Sequence, residues 1–131
     1  MFTSIKTSKS NKEIVSELTR RLNLGAENVI ARLAFAHSLA NDGKLDLKSI
    51  KDSGGKEYST KVLFGDYVDV YVGLICVTYK IHKSDKDVAR YIKLHIDKGI
   101  ESIKKEVELK SSITGSEFLI NEIEKGIKYL A

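Results

Sequence analysis

The sequence predicts a mainly α protein, a small helical bundle with a short N-terminal extended segment. Proline is absent, so no helix is broken by one. Serine or threonine with an acid three residues later precedes several apolar runs, the pattern of a capping box. Those runs then repeat at helical spacing. With 131 residues, 42% of them hydrophobic, the chain can close one core, since domains of about 150 residues bury roughly 70% of their unfolded surface. We read 1–131 as one domain, with a core over about 10–110 and a C-terminal helical extension over 111–131.

Phe2 to Ser8 (FTSIKTS) is short and rich in β-branched and hydroxyl residues, which suits a strand. Ser10 with Glu13 has the form of a capping box, and Ile14, Leu18 and Leu22 follow on one face, so the first helix runs from Asn11 to about Asn23. Leu24-Gly25 is a tight break. Val29, Ile30, Leu33, Ala34, Ala36 and Leu39 mark a second helix from about Ala26 to Ala40, ended by Asn41-Asp42-Gly43. Lys44 to Lys61 is polar and reads as a loop with one helical turn near Leu47 to Lys51. Gly54-Gly55 inside it lacks the spacing and the Gly-Lys-Ser/Thr ending of a phosphate loop, so these are turn residues.

Asp66 to Ile81 carries two signals. Its β-branched and aromatic residues favour a strand, whereas Phe64, Tyr67, Val68, Tyr71, Ile75 and Tyr79 recur at helical spacing. Its length decides for a helix, and a helix apolar almost all round belongs at the centre of the core. Ser84 with Asp87 starts the longest helix, Asp85 to about Leu109, with Val88, Ile92, Ile96, Gly99, Ile103 and Val107 on one face. At about 1.5 Å per residue it spans roughly 40 Å, so its end is expected to pack on another copy of the chain. Thr114 with Glu117 is a third capping box, followed by Leu119, Ile123, Ile127 and Leu130 along a terminal helix.

Several functions are excluded on residue grounds. A lone cysteine, Cys76, allows no internal disulfide, and without a CxxC pair no structural zinc or iron–sulfur cofactor is expected. Cys76 lies in the most apolar stretch, where a thiol is chemically quiet. His37, His82 and His95 form no HExxH pair, and each reads as a surface or boundary residue. His95 and Asp97 are two residues apart and face apart on a helix. With no Ser–His–Asp order and no dinucleotide glycine motif, no catalytic or metal-binding residue is assigned. Met1 to Lys12 lacks the apolar run of a secretory signal, and the longest uncharged apolar run, Val70 to Tyr79, is far short of a membrane span, so a cytoplasmic protein is expected.

Charge is the remaining clue. The net charge is +4, and residues 1–24 hold +3 of it through Lys6, Lys9, Lys12, Arg20 and Arg21 against Glu13 and Glu17. These five cations are the leading candidates for phosphate contacts, with Arg32, Lys44, Lys48 and Lys51 as weaker ones. The order strand, basic helix, turn, helix is that of ribbon-helix-helix DNA binders, so the N-terminal half is ribbon-helix-helix-like. Glu27, in the first turn of the second helix, would repel a phosphate there.

The runs Arg20-Arg21-Leu22-Asn23-Leu24-Gly25, Val29-Ile30-Ala31-Arg32-Leu33-Ala34, Lys61-Val62-Leu63-Phe64-Gly65-Asp66 and His95-Ile96-Asp97-Lys98-Gly99-Ile100-Glu101, in that order, resemble the DndE family of DNA sulfur modification (phosphorothioation) proteins. The resemblance covers about Ser10 to Lys110. It implies a non-catalytic homotetramer that binds double-stranded DNA, with a preference for nicked duplex. It also implies that other Dnd proteins are partners and carry the chemistry that replaces a phosphate oxygen with sulfur. The alternative is a protein-interaction scaffold of that complex with no DNA contact.

Overall fold

Helices packed around one long helix make up the computed structural model, which describes residues 2–110 and 112–130 and the side chains of all of these except 129 and 130. The order is β1 (Ser4–Lys6), α1 (Asn11–Leu22), α2 (Glu27–Asp42), a 3-10 turn at Leu47–Ser49, β2 (Glu57–Ser59), α3 (Thr60–Phe64), a second 3-10 turn at Gly65–Tyr67, α4 (Val68–Tyr79), α5 (Asp87–Leu109) and α6 (Gly115–Leu130). The fold is mainly α, with strand, helix, helix at its N-terminal end as expected.

The central helix is α5, not the one starting at Asp66. Ile92, Ile96, Ile100 and Ile103 are fully buried, and so is His95 on another face. Its main partner is α2. At their crossing Gly99 lies on the Ala34 backbone so closely that a Cβ on it would sit 1.9 Å from the Ala34 carbonyl oxygen. Only a residue without a side chain lets the two backbones meet there.

α4 occupies the edge. Val72 and Ile75 are buried, but Tyr67, Val70, Leu74 and Val77 stand exposed along one stripe, Val77 at 80%. An all-round apolar helix needs neighbours on every side, and this one has them on one side only. By length and composition alone Thr60–Tyr79 is apolar enough to cross a membrane. The stretch is broken, however, at Gly65, whose φ is +58°, and the unbroken 12-residue α4 covers about 18 Å, short of a hydrocarbon core of about 30 Å.

β2 and the first residues of α3 lie where a loop was expected, over Lys44 to Lys61. β1 pairs with β2 antiparallel, Ile5 opposite Tyr58 and Lys6 opposite Glu57, so the ribbon forms within one chain. Ile5 and Tyr58 are buried beneath it. Gly55 donates its N–H to the Thr7 carbonyl at 2.9 Å and lies against the Ser8 backbone.

Two of the three predicted capping boxes do not form. Ser10 is helical and makes no capping bond; α1 starts from a turn in which Asn11 and Lys12 donate to the carbonyls of Ser8 and Lys9. At α5 the side chain that accepts from the Asp87 N–H, at 2.8 Å, belongs to Asp85 and not Ser84. Thr114 does cap α6, accepting from Glu117 N–H at 3.1 Å. The far end of α5 meets elements of its own chain: Val107 is buried, and Lys125 of α6 reaches Glu106. Of the terminal stripe, Leu119 is half-buried and Ile123 and Ile127 are exposed, while α6 is anchored through Phe118 and the preceding Ile113. The Leu130 side chain lies outside the described residues.

Candidate nucleic-acid interface

The β1–α1 junction, which carries three of the candidate lysines, is fixed from below by a buried carboxylate. Asp97 Oδ1 accepts from the Ser8 N–H at 3.0 Å and from Asn11 Nδ2 at 2.9 Å. Its Oδ2 pairs with Lys93 Nζ at 3.0 Å, both side chains being almost wholly buried. Lys93 in turn donates to the Asp52 carbonyl at 2.7 Å. One i,i+4 pair on α5 thus ties together β1, α1 and the loop before β2.

Above this hub Lys6, Lys9 and Lys12 are exposed, and none forms an ion pair among the described residues. Glu57 lies across the strand from Lys6. The Lys9 N–H donates to Asp52 Oδ2 at 2.9 Å, as does the N–H of Gly54. These backbone bonds, Lys9's first, hold the Asp52 carboxyl below the usual carboxylate range.

Eight residues on from Lys12, about 12 Å along the helix, Arg20 and Arg21 face Lys104 across a groove of about 630 Å³ floored by Leu18 and Val107 and edged by Glu17 and Glu108. Lys104 is a cation that the sequence alone did not single out, because only folding brings it beside α1. Arg21 also holds the fold together, since its Nη1 donates to the Ile113 carbonyl at 2.7 Å and so ties α1 to the segment before α6.

The weaker candidates separate in the same way. Lys44 and Lys48 are exposed. Lys51 is paired with Glu101, and Arg32 is half-buried on α2, its Nε buried and without a hydrogen-bond partner among the described residues. Glu27 accepts from Ser16 and pairs with Lys56, so its charge is partly spent within the chain.

The histidines depart from expectation. His82 is exposed, but His95 and His37 are buried. The Tyr79 hydroxyl lies 2.6 Å from His95 Nε2, His95 Nδ1 lies 2.9 Å from Ser38 Oγ, and Ser38 donates to Asp42. This order is satisfied by a neutral imidazole protonated on Nδ1. Burial pushes the His95 pKa down to about 4, against a smaller upward pull from Asp42. Burial likewise raises the Tyr79 phenol, opposed by the hydrogen bond from the Leu45 N–H. His37 sits between the carboxylates of Glu106 and Glu122. Cys76 is half-buried against the core. His95 and Asp97 take different partners and form no acid–base pair.

A mainly α scaffold with a basic β1–α1 edge, and with buried polar groups tied into structural networks, is what fold and site together define. The family model described as "DNA sulphur modification protein DndE" matches residues 4–111. The chain belongs to the DndE family, which is involved in DNA phosphorothioation. Among solved structures it is similar to DndE from Escherichia coli B7A, involved in DNA phosphorothioation modification, with 15% identity, a TM-score of 0.64, and coverage of 79% of this chain and 98% of that one. It is also similar to a glycine-to-lysine mutant of DndE involved in DNA phosphorothioation, with 16% identity, a TM-score of 0.65 and the same coverage. No curated protein matches.

Proposed function

We propose that this protein is a non-catalytic, cytoplasmic DNA-binding component of the phosphorothioation system, acting as a homotetramer on double-stranded DNA, preferentially nicked, beside other Dnd proteins. The observation that carries the reading is the set of exposed cations without ion-pair partners among the described residues, Lys6, Lys9 and Lys12 on the edge whose backbone Asp97 holds and Arg20 further along α1. Arg21, Lys44 and Lys48 flank it, and Arg32 and Lys51 contribute less because burial and Glu101 occupy them. An oligomer repeats the +3 of residues 1–24 on every copy. A nick lowers the cost of bending the duplex onto such a surface.

The test is the electrophoretic mobility of nicked and intact duplex at two salt concentrations, with the oligomer mass from light scattering. Each phosphate contact removed should flatten the log affinity against log salt slope by about 0.9. Lys9→Ala/Lys12→Ala and Arg20→Ala should each do so; Arg21 is avoided because it also ties the fold. Unchanged affinity and slope in both would refute the assignment. The exposed stripe Tyr67, Val70, Leu74 and Val77 favours a second reading, a scaffold that meets proteins and not DNA. It predicts a tetramer without salt-sensitive DNA binding.

A further inference from the structure

His37, buried on α2, meets a carboxylate at each ring nitrogen. Nδ1 is 3.0 Å from Glu122 Oε2 of α6, and Nε2 is 3.8 Å from Glu106 Oε1 of α5. Asn41 Nδ2 lies 3.4 Å from Nδ1 but makes its short hydrogen bond, 2.7 Å, to the His37 carbonyl. A neutral imidazole has one N–H. Spent on Glu122 at hydrogen-bonding distance, it leaves the Nε2 lone pair directed at an anion 3.8 Å away, a contact too long for a hydrogen bond and repulsive in sign.

We propose that Nε2 of His37 and the Glu106 carboxylate bind a divalent transition-metal ion of the Zn²⁺ or Co²⁺ type, with Glu122 fixing the imidazole through Nδ1. Ligands about 2.0–2.2 Å from a tetrahedral ion stand roughly 3.3–3.6 Å apart, so a small closure of the 3.8 Å gap admits one. A histidine that binds metal through one nitrogen usually donates the other N–H to a carboxylate, which is the role Glu122 already fills. One imidazole with carboxylates suits these metals better than Mg²⁺ or Ca²⁺, which prefer oxygen ligands alone. Lys125 Nζ, 3.5 Å from Glu106 and 3.4 Å from Glu122, supplies a single positive charge there from a side chain 48% exposed, which is free to swing outward. Water completes the coordination. Glu122 and Lys125 lie beyond the family match at 4–111, so the ion would clasp this chain's C-terminal helix to α2 and α5.

The experiment titrates Zn²⁺ into the untagged, metal-stripped full chain at neutral pH by calorimetry, with Co²⁺ as a visible-absorption probe and protease cleavage within α6 as a readout of the clasp. Wild type should bind one ion saturably and protect α6. Glu106→Gln should abolish both, Glu122→Gln should weaken binding about 10–100-fold, and Lys125→Met should tighten it. Both glutamine variants are isosteric at partly exposed positions, and circular dichroism checks their fold. Absence of saturable binding, or equal binding by Glu106→Gln, overturns the proposal.

Discussion

Replacing Asp97 by alanine tests the link between the buried hub and the basic edge. The change leaves the Lys93 ammonium, 9% exposed, without its counter-charge and with the Asp52 carbonyl as its remaining partner. It also orphans the Ser8 N–H, whose residue is wholly buried. Removing one partner of a buried pair costs about 3–5 kcal/mol, and a buried donor left unmade about 1–3 kcal/mol. The terms overlap once water enters the space, so we expect a loss of about 4 kcal/mol, a large part of the roughly 5–15 kcal/mol that holds a domain folded. Urea unfolding at neutral pH reads it as a lower midpoint with an unchanged slope. The double variant Asp97→Leu/Lys93→Met removes both charges, and should recover all but about 2 kcal/mol, the share of the Ser8 N–H. A loss below about 1 kcal/mol in Asp97→Ala, the value of a solvent-exposed pair, would refute the reasoning. So would a double variant no more stable than the single one.

The folded pKa of His95, about 4, lies below the unfolded value of 6.5, so on acidification the unfolded chain takes the proton first; its contribution is complete above about pH 6.5 and is lost progressively down to about pH 4, a change of about 3 kcal/mol. Urea midpoints across that range should fall more steeply for the wild type than for His95→Leu, and parallel curves would refute the neutral, buried imidazole. Gly99→Ala should cost about 3 kcal/mol or more by forcing α2 off α5, whereas Gly126→Ala, with open space around its Cβ position in α6, should gain about 0.5–1 kcal/mol; calorimetric melting of the two variants separates crowding from helix propensity.

Periodicity made α1, α2, α5 and α6 legible as helices, and in α5 the expected face is the one that packs: Val88, Ile92, Ile96, Ile103 and Val107 are all buried as the spacing requires, whereas in α6 Ile123 and Ile127 of the expected stripe stay exposed and Phe118 is buried instead. It misplaced α4, since composition reports how apolar a helix is and not how many neighbours reach it. β2 was hidden because its three residues, Glu57, Tyr58 and Ser59, owe their conformation to β1 more than fifty positions earlier. The candidate cations could be read directly, but their availability could not. Arg21 and Lys51 are engaged by Ile113 and Glu101, and Lys104 gains a neighbouring role only when α5 lies beside α1. The burial of His37 and His95 was equally unreadable, because the groups that satisfy them come from separate helices.

The hold of Asp97 on Ser8 and Asn11 also bears on how the proposed DNA contact would form. Lys9 and Lys12 stand on a backbone already anchored to the middle of the longest helix, so a duplex would meet a pre-ordered surface and only the lysine side chains would lose freedom. Association on such a surface should show the small heat-capacity change of rigid-body docking, without the larger signature of a segment that folds as it binds. Loosening the anchor would shift that entropy cost into the binding step while leaving every charge in place.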